Sequence, residues 1–448
     1  MKKWIKYLLI LIPIALLILF GLNYRKLELI TGYAAKNACS CVFVAEMRPE
    51  RVEEEDNNFF PVSLANVEID RVNKSTQALI LGLGKRTAVY RKGMGCTLLP
   101  INFSRARLRE EVPNRNTPAI SRPYPFGHLP PRDTVFENLD YSKLRRTVAS
   151  AFDKPGEGEK KTRAVVILYK GFLIAEAYAP GFHSGSRLQG WSMTKSITAS
   201  IMGVLAAKDL INLQDDHLLE VWKNDRRNRI TFKQLLQMNS GLKWKEDYTE
   251  VSDVTSMLFW ARDMSQTQVV QPLETPPGSR WKYSSGVTNL LSGLIREKME
   301  SYQVYLDFWY KAFIDRIGMK SMILETDAAG NYVASSYSWA TARDWARMGL
   351  FYLRQGRWNG EQLLSRTWTD FVSRPVPGSG GDYGGHFWLN KGAAYPDVPR
   401  DLLSANGYQG QYVFIIPSKD LVVVRLGLTE HPEFDVNSFL SGILSAID

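Results

Sequence analysis

The segment Leu188-Gln-Gly-Trp-Ser-Met-Thr-Lys-Ser-Ile-Thr-Ala-Ser-Ile-Met-Gly-Val-Leu205 determines how the rest of the chain is interpreted. It places Ser192 three residues before Lys195 at the start of an apolar helix. Positions i and i+3 share one face of a helix, so the lysine amine can reach the serine hydroxyl and hold it as a nucleophile. The spacing therefore indicates nucleophilic catalysis by Ser192.

Two other Ser-x-x-Lys sequences occur, Ser240-Gly-Leu-Lys243 and Ser279-Arg-Trp-Lys282. The first is predicted at the end of a helix that spans residues 230–241, with its lysine beyond the terminating Gly241. The second follows two prolines and a glycine in a turn. Only Ser192 is predicted to open a long helix with its lysine in the first turn, and this context selects it.

The composition favours a globular enzyme. The chain has 448 residues, of which 45% are hydrophobic, enough for one large domain or two ordinary ones with accessories. The formal net charge is +10, but basic and acidic residues are interspersed, as in residues 105–112, so we expect a solvated surface and no nucleic-acid partner. The five histidines are widely separated, without a His/Cys pair at ligand spacing, and we expect neither a metal site nor a cofactor.

The first 26 residues differ from those that follow. Three lysines precede the uncharged run Tyr7–Leu22, and Arg25 and Lys26 follow it. Such a segment serves as a signal peptide or as an uncleaved anchor. Because no small-x-small cleavage site follows the run closely, we predict an anchor over residues 1–26. The denser positive charge before the run predicts that the rest lies outside the cytoplasm, as a periplasmic or other extracytoplasmic domain on the inner membrane.

The region from residue 27 to residue 139 is predicted to be β-rich and then irregular. Short apolar runs separated by polar turns predict a small β-layer between Cys41 and Leu99. The runs are Val42–Ala45, Val62–Ile69, Ala78–Leu83 and Thr87–Tyr90. Residues 100–138 hold several prolines and are predicted to form a connector. No chemistry is assigned to this region.

All three cysteines, Cys39, Cys41 and Cys96, fall within the first hundred residues. In an exported protein, Cys96 could form a disulfide with either Cys39 or Cys41. The alternative is that all three are small buried apolar residues. The sequence leaves these possibilities open.

Residues 140–448 are predicted to form the main domain. One β-hairpin is predicted over residues 164–178 and another over residues 411–426, followed by a closing helix over residues 434–447. Strands at both ends of a region with a helical middle predict an α+β fold. In it, one antiparallel sheet is flanked by helices, and a helical lobe is inserted from about residue 205 to about residue 340.

Tyr283-Ser-Ser285 offers a third titratable group. It follows a Pro-Pro-Gly sequence and precedes an apolar helix over residues 287–295. A cation such as Lys195 could stabilise the Tyr283 phenolate. The alternative is an ordinary core tyrosine.

These motifs resemble, in their order, those of the serine β-lactamase-related hydrolases. The series is Ser192-x-x-Lys195, then Pro277-Gly278 leading to Tyr283-x-Ser285, then a glycine-rich segment before residues 413–424. That family includes class C β-lactamases, DD-peptidases, carboxylesterases and 6-aminohexanoate-oligomer hydrolases. Residues 230–242 and 337–353 are similar to it as well.

The resemblance implies roles for individual residues. Ser192 would be the acylated nucleophile, Lys195 its proton partner, and Tyr283 the general base that also protonates the leaving group. The backbone N–H groups of Ser192 and Gln411 would form an oxyanion hole, worth about 3 kcal/mol per donor.

The third motif of the family is normally Lys-Thr-Gly or His-x-Gly, but here it reads Tyr408-Gln-Gly410. Lactamases use that positive charge to recognise a carboxylate, so the neutral Tyr408 disfavours β-lactams. The pattern is similar to the 6-aminohexanoate-dimer hydrolase and esterase branch, in which a loop tyrosine contacts the scissile amide. Lys245-Glu-Asp-Tyr248 matches that loop. The implied substrate contacts are Tyr248, Ser285 (asparagine in many relatives), Tyr408 and Gly410.

The sequence thus predicts a membrane-anchored serine hydrolase that acts on a small-molecule ester or amide. Two alternatives are a β-lactamase or DD-peptidase, and a non-catalytic binding protein of the cell envelope.

Overall fold

The computed structural model describes residues 2–115, 120–154, 156, 158–429 and 434–447. In the first helix, side chains are described at positions 11 and 21 and from residue 23 onward. Within these limits, no helix is long and apolar enough to cross a membrane. Most side chains of the predicted anchor, residues 1–26, lie outside the described part of the chain.

The N-terminal layer consists of a long helix packed across a four-stranded antiparallel sheet of order β1-β2-β3-β4. Its elements are α1 (Lys2–Phe43), α2 (Pro49–Arg51), β1 (Asn66–Asp70), β2 (Ser75–Ile80), β3 (Leu83–Arg91) and β4 (Gly95–Leu98). The β-layer is therefore present, but the strand predicted at residues 42–45 is wrong. Val42 and Phe43 end α1, because their apolar side chains continue the helical face that covers the sheet.

A disulfide joins the helix of this layer to its sheet. Cys39 on α1 pairs with Cys96 on β4, with 6.0 Å between the Cα atoms. Cys41 is a buried free thiol. Of the alternatives that the sequence left open, the structure contains the Cys39–Cys96 bridge.

Secondary structure alternates through the rest of the chain. The helices are α3 (Tyr141–Ser150), α4 (Thr194–Ala207), α5 (Phe232–Leu236), α6 (Asp253–Trp260), α7 (Gln266–Val269), α8 (Ser285–Glu297), α9 (Tyr302–Trp309), α10 (Ala342–Leu353), α11 (Arg366–Val372) and α12 (Val436–Leu444). The strands are β5 (Thr162–Tyr169), β6 (Phe172–Tyr178), β7 (Leu188–Gln189), β8 (Ile323–Leu324), β9 (Ser338–Ala340), β10 (Arg357–Trp358), β11 (Glu361–Gln362), β12 (Trp388–Leu389), β13 (Leu403–Gly407), β14 (Gln411–Ile416) and β15 (Leu421–Gly427).

The central sheet has six antiparallel strands in the order β12-β13-β14-β15-β5-β6. The two predicted hairpins, β5-β6 and β14-β15, meet where β15 pairs with β5, and Val424 lies opposite Val166. The α+β architecture with strands from both ends is confirmed. Besides the sheet of the N-terminal layer, two smaller sheets accompany the central one among the described residues, β10-β11 and β7-β9-β8. Their strands of two or three residues are too short to show alternation in the sequence.

Alternating side chains of the central sheet belong to two cores. Val166 and Val424 pack into the larger core, toward the helical lobe, and Ile167 and Val423 pack on the opposite face with α3 and α12. Helix α10 lies against the first face at Gly349. A Cβ at Gly349 would lie 2.5 Å from a methyl group of Val422, so glycine permits this close approach.

The N-terminal layer and the following region share an apolar cluster around Trp191, Trp244 and Trp339. A buried carboxylate, Glu325, also connects them. It accepts hydrogen bonds from Lys36 Nζ at 2.5 Å, Ser40 Oγ at 2.8 Å, the backbone N–H of Cys96 at 2.6 Å and Trp339 Nε1 at 2.9 Å. The domain boundary predicted at residue 140 stays a prediction.

Candidate active site

The nucleophile turn, Trp191–Met193, is a short 3₁₀ segment between β7 and α4. Trp191 has φ +46°, in the left-handed region that non-glycine residues seldom adopt. The preceding Gly190 donates its N–H to Ser338 O at 2.7 Å, and a Cβ there would lie 2.5 Å from the Trp345 ring. Tight packing beneath the turn therefore holds Ser192 half-exposed at the start of α4.

Lys195 is 2% exposed and lies one helical turn from Ser192. Its Nζ donates to Ser192 Oγ at 2.9 Å, to Ser285 Oγ at 2.9 Å and to the carbonyl oxygen of Ser335 at 3.0 Å. Burial lowers the pKa of Lys195 to about 8, although the negative charge of Glu246 opposes this shift. At pH 7, roughly a tenth of the molecules then carry a neutral amine that can accept a proton.

Tyr283 packs beside this lysine. Lys195 Nζ lies 4.8 Å from the ring centroid of Tyr283. The Trp388 ring packs against Tyr283, with 5.5 Å between the two ring centroids. Burial raises the pKa of Tyr283, the charge of Glu246 raises it further, and a hydrogen bond with Ser192 opposes both. The phenol is thus protonated near neutral pH, which favours the proton-donating half of the role that the family resemblance implies.

Ser285 connects Lys195 to Glu246. Its hydroxyl donates to Glu246 Oε1 at 2.5 Å while accepting from Lys195, and its backbone N–H donates to Glu246 Oε2 at 2.8 Å. Trp244 Nε1 also donates to Oε2, at 2.5 Å. Sequence reasoning missed Glu246. Its position two residues before Tyr248, in a stretch already matched to the family, was the available signal.

Tyr248 and Tyr408, the tyrosine pair, form one wall of the site. Their rings stack with centroids 5.2 Å apart and an angle of 15° between the planes. The rings of Tyr408 and Trp191 pack in a T-shaped arrangement, with 5.5 Å between their centroids. Tyr248 OH lies 3.4 Å from Glu246 Oε1. Both predicted contact residues therefore lie beside the nucleophile turn, and their contacts with substrate stay predictions.

The segment predicted to supply the second oxyanion donor begins β14, which packs against the nucleophile turn. Gly410 has φ +77°, and a Cβ there would lie 2.5 Å from Arg425 Nη1. The Gln411 side chain donates to Gly427 O at 2.5 Å and accepts from Gly427 N–H at 3.1 Å. These contacts fix the backbone at Gln411, whose role in an oxyanion hole stays a prediction.

The two other Ser-x-x-Lys sequences have separate structural partners. Ser279 Oγ donates to Pro276 O at 2.6 Å, and Lys282 pairs with Glu274 at 2.6 Å. Ser240 is buried, whereas Lys243 is exposed. Helical context in the sequence thus distinguished the pair that makes a Ser–Lys contact.

His386 is a second residue near the site that sequence reasoning missed. Its Nδ1 bonds Leu236 O at 2.7 Å, its Nε2 bonds Thr288 Oγ1 at 2.9 Å, and its carbonyl oxygen accepts from Ser196 Oγ at 2.8 Å. Burial lowers the pKa of His386 to about 3, so it stays neutral and ties α5, α8 and α4 together. Among the described residues, no cluster of three or more His, Cys, Asp or Glu could hold a metal.

Comparison with known proteins identifies the family and the fold. A family model described as Beta-lactamase matches residues 149–440. The 6-aminohexanoate-dimer hydrolase of Paenarthrobacter ureafaciens is 24% identical over 305 residues, which cover 61% of this chain and 74% of that protein.

Solved structures show the same fold. A family VIII carboxylesterase superposes with a TM-score of 0.53 at 14% identity, covering 71% of this chain and 99% of the other. A penicillin-binding protein homologue from Caulobacter crescentus superposes with a TM-score of 0.50 at 13% identity, covering 71% of this chain and 100% of the other. With most of residues 140–448 matched by the family model, the chain belongs to the beta-lactamase family, that of the serine β-lactamase-related hydrolases.

Proposed function

We propose that this protein is a serine hydrolase that cleaves an ester or amide through an acyl-enzyme on Ser192. The observation that carries the proposal is the 2.9 Å contact between Lys195 Nζ and Ser192 Oγ, made by a lysine whose pKa burial lowers to about 8. A neutral lysine at that distance is a suitable base for a serine hydroxyl.

In acylation, neutral Lys195 takes the proton of Ser192 as Oγ attacks the carbonyl carbon. The backbone N–H groups of Ser192 and Gln411 stabilise the oxyanion. Tyr283 then donates its phenolic proton to the leaving alcohol or amine, and the Lys195 ammonium returns a proton to the phenolate. In deacylation, water attacks the acyl carbon and loses its proton to Lys195, and Ser192 Oγ leaves with a proton supplied by Tyr283. The Lys195 ammonium then returns a proton to the Tyr283 phenolate, which restores the free enzyme.

The neutral Tyr408 supports esters and linear amides over β-lactams as substrates. Its ring, stacked on Tyr248, takes the third-motif position at which lactamases have a cation, so a substrate carboxylate would find no compensating charge from that motif. The similarity to a protein named 6-aminohexanoate-dimer hydrolase supports the same branch.

The location of the enzyme is also a proposal. The uncharged run Tyr7–Leu22 supports an anchor over residues 1–26, and the Cys39–Cys96 disulfide supports an oxidising, extracytoplasmic compartment. If this is correct, the full chain sediments with membranes and resists a carbonate wash, and deletion of residues 1–26 releases it. A full chain that washes off would contradict the anchor.

The test of function compares p-nitrophenyl acetate turnover by the wild type, Ser192→Ala and Ser279→Ala. The last is a matched control, because Ser279 also belongs to a Ser-x-x-Lys sequence. We expect Ser192→Ala to lose turnover by at least about 10⁴-fold and Ser279→Ala to retain it. Wild-type hydrolysis of nitrocefin as fast as of esters would favour a β-lactamase, and a wild type that binds muropeptides without any turnover would indicate a binding protein.

A further inference from the structure

A cavity of about 520 Å³ lies between the N-terminal layer and the helical lobe, next to the active site. Helix α1 forms one side of it with Leu29, Ile30 and Tyr33, and Val62 and Phe259 contribute to the others. We call this cavity the α1 pocket. Its volume is in the range of small-molecule binding sites.

The tyrosine pair belongs to both the pocket and the active site. Tyr248 and Tyr408 line the pocket, and Tyr408 meets Trp191, the neighbour of Ser192, at 5.5 Å. Tyr33, from α1, also stacks on Trp191, with centroids 6.3 Å apart and 23° between the planes. One layer of aromatic rings therefore lies between the pocket and the nucleophile turn.

The buried part of the lining is mainly apolar, and the exposed part includes charged side chains. Tyr33, Val62 and Phe259 are all at most 9% exposed. The exposed lining residues include Lys26 and Glu250, and Glu250 forms an ion pair with Lys245. An apolar chain inserted here would leave water for an apolar surface, while its polar end could stay near the charged residues.

Exposed apolar side chains lie beside the same stretch of α1. Leu81, in the turn between β2 and β3, is 95% exposed. The start of β3, next to this turn, packs on the helix, because Thr31 Oγ1 donates to Gly84 O at 2.5 Å and a Cβ at Gly84 would lie 3.1 Å from Leu27 Cβ. Apolar surface is therefore exposed next to the stretch of α1 that lines the pocket.

We propose that the α1 pocket binds the apolar chain of the substrate, so that the enzyme acts on esters or amides carrying a medium or long alkyl chain. The proposal rests on the proposed function of Ser192. In this proposal the N-terminal layer selects the substrate. That layer lies outside the residues matched by the family model. The reacting carbonyl group lies at Ser192, and the chain passes the tyrosine pair into the pocket.

The experiment measures kcat/KM of the full chain in phosphatidylcholine nanodiscs for two substrate series of two to eight carbons. One series is p-nitrophenyl esters of lengthening acyl chain, and the other is acetate esters of lengthening alcohol. In one of them we expect kcat/KM to rise by up to about fourfold for each methylene group that enters the pocket. Which series responds tells whether the chain is on the acyl or the alcohol side.

Ile30→Trp, which fills the pocket, is expected to abolish the rise of kcat/KM with chain length. Val72→Trp is the matched control, since Val72 is 92% exposed in the turn between β1 and β2. A flat wild-type profile in both series, with acetate turned over, would overturn the pocket proposal alone. An unchanged slope in folded Ile30→Trp would do the same, whereas no wild-type turnover of any ester would contradict the function of Ser192 as well.

Discussion

Two regions meet at Trp191, and they are stabilised in different ways. On one side, the catalytic segments hold Ser192, Lys195 and Ser285 through short hydrogen bonds among largely buried polar groups. On the other side, the N-terminal layer contributes mainly apolar side chains, fixed by a disulfide and by the buried ion pairs Lys36–Glu325 and Asp56–Arg163. The difference suggests that chemistry belongs to the first region and chain selection to the second, so that substitutions can separate the two.

The largest effect is expected from Lys195→Ala, on the catalytic side. Removing the amine takes away the base for Ser192, so kcat for a short ester falls by up to about 10⁴-fold. Stopped-flow or steady-state assays with p-nitrophenyl acetate measure this loss of kcat. The control is Lys282→Ala, which removes the lysine of another Ser-x-x-Lys sequence and should retain wild-type kcat. A loss below tenfold in Lys195→Ala would show that another group is the base.

In the N-terminal layer, loss of the Cys39–Cys96 disulfide is expected to lower the stability of the fold. The bridge spans a sequence separation of 57, and opening a loop of that length costs about 4 kcal/mol in the chain-entropy account. We expect the double variant Cys39→Ser/Cys96→Ser to unfold at lower urea concentration than Cys41→Ala, which keeps the bridge. Turnover of acetate per folded molecule should persist. Equal unfolding midpoints would contradict a structural role for the disulfide.

A smaller effect is expected from Glu246→Gln. The Glu246 charge raises the pKa of Lys195, against the larger effect of burial, so its removal lowers that pKa further below about 8. Because neutral Lys195 is the active form, kcat/KM rises with pH through this pKa, and the rise should move to lower pH by up to about one unit.

The measurement is the pH dependence of kcat/KM for p-nitrophenyl acetate. Glu250→Gln is the matched control, since that exposed carboxylate pairs with Lys245 instead. If kcat/KM rises at the same pH in the wild type and in Glu246→Gln, the charge of Glu246 does not affect the pKa of Lys195.

Local patterns in the sequence predicted much of the catalytic side. Ser192, Lys195 and Tyr283 come together as expected because short-range helix geometry fixes the first two and a turn motif marks the third. The hairpins of the central sheet were also predictable, from period and turn residues. Glu246 was missed although it lies two residues before Tyr248, and His386 was missed as well, because their partners lie far along the chain. Ser285 is 39 residues from Glu246, and Leu236 is 150 residues from His386.

The N-terminal layer was predicted less well, for the same physical reason. Its strands showed the alternation of a half-buried sheet, but the end of α1 at Val42 and Phe43 was interpreted as a strand. β-Branched and aromatic residues favour strands locally, and here burial against the sheet of the layer outweighs that preference. Nothing local to Leu29 or Ile30 indicated a wall of a pocket, since the other walls come from Val62, about 30 positions away, and from Tyr248 and Phe259, more than 200 positions away.

The central claim, that Ser192 is acylated, is tested most directly by locating the covalent bond. The full chain is treated with a fluorophosphonate, digested, and analysed by mass spectrometry, beside Ser192→Ala. We predict one adduct per molecule on the peptide that contains Ser192 in the wild type, and none on the corresponding peptide of the variant. An adduct on another residue, or equal labelling of both proteins, would contradict the account.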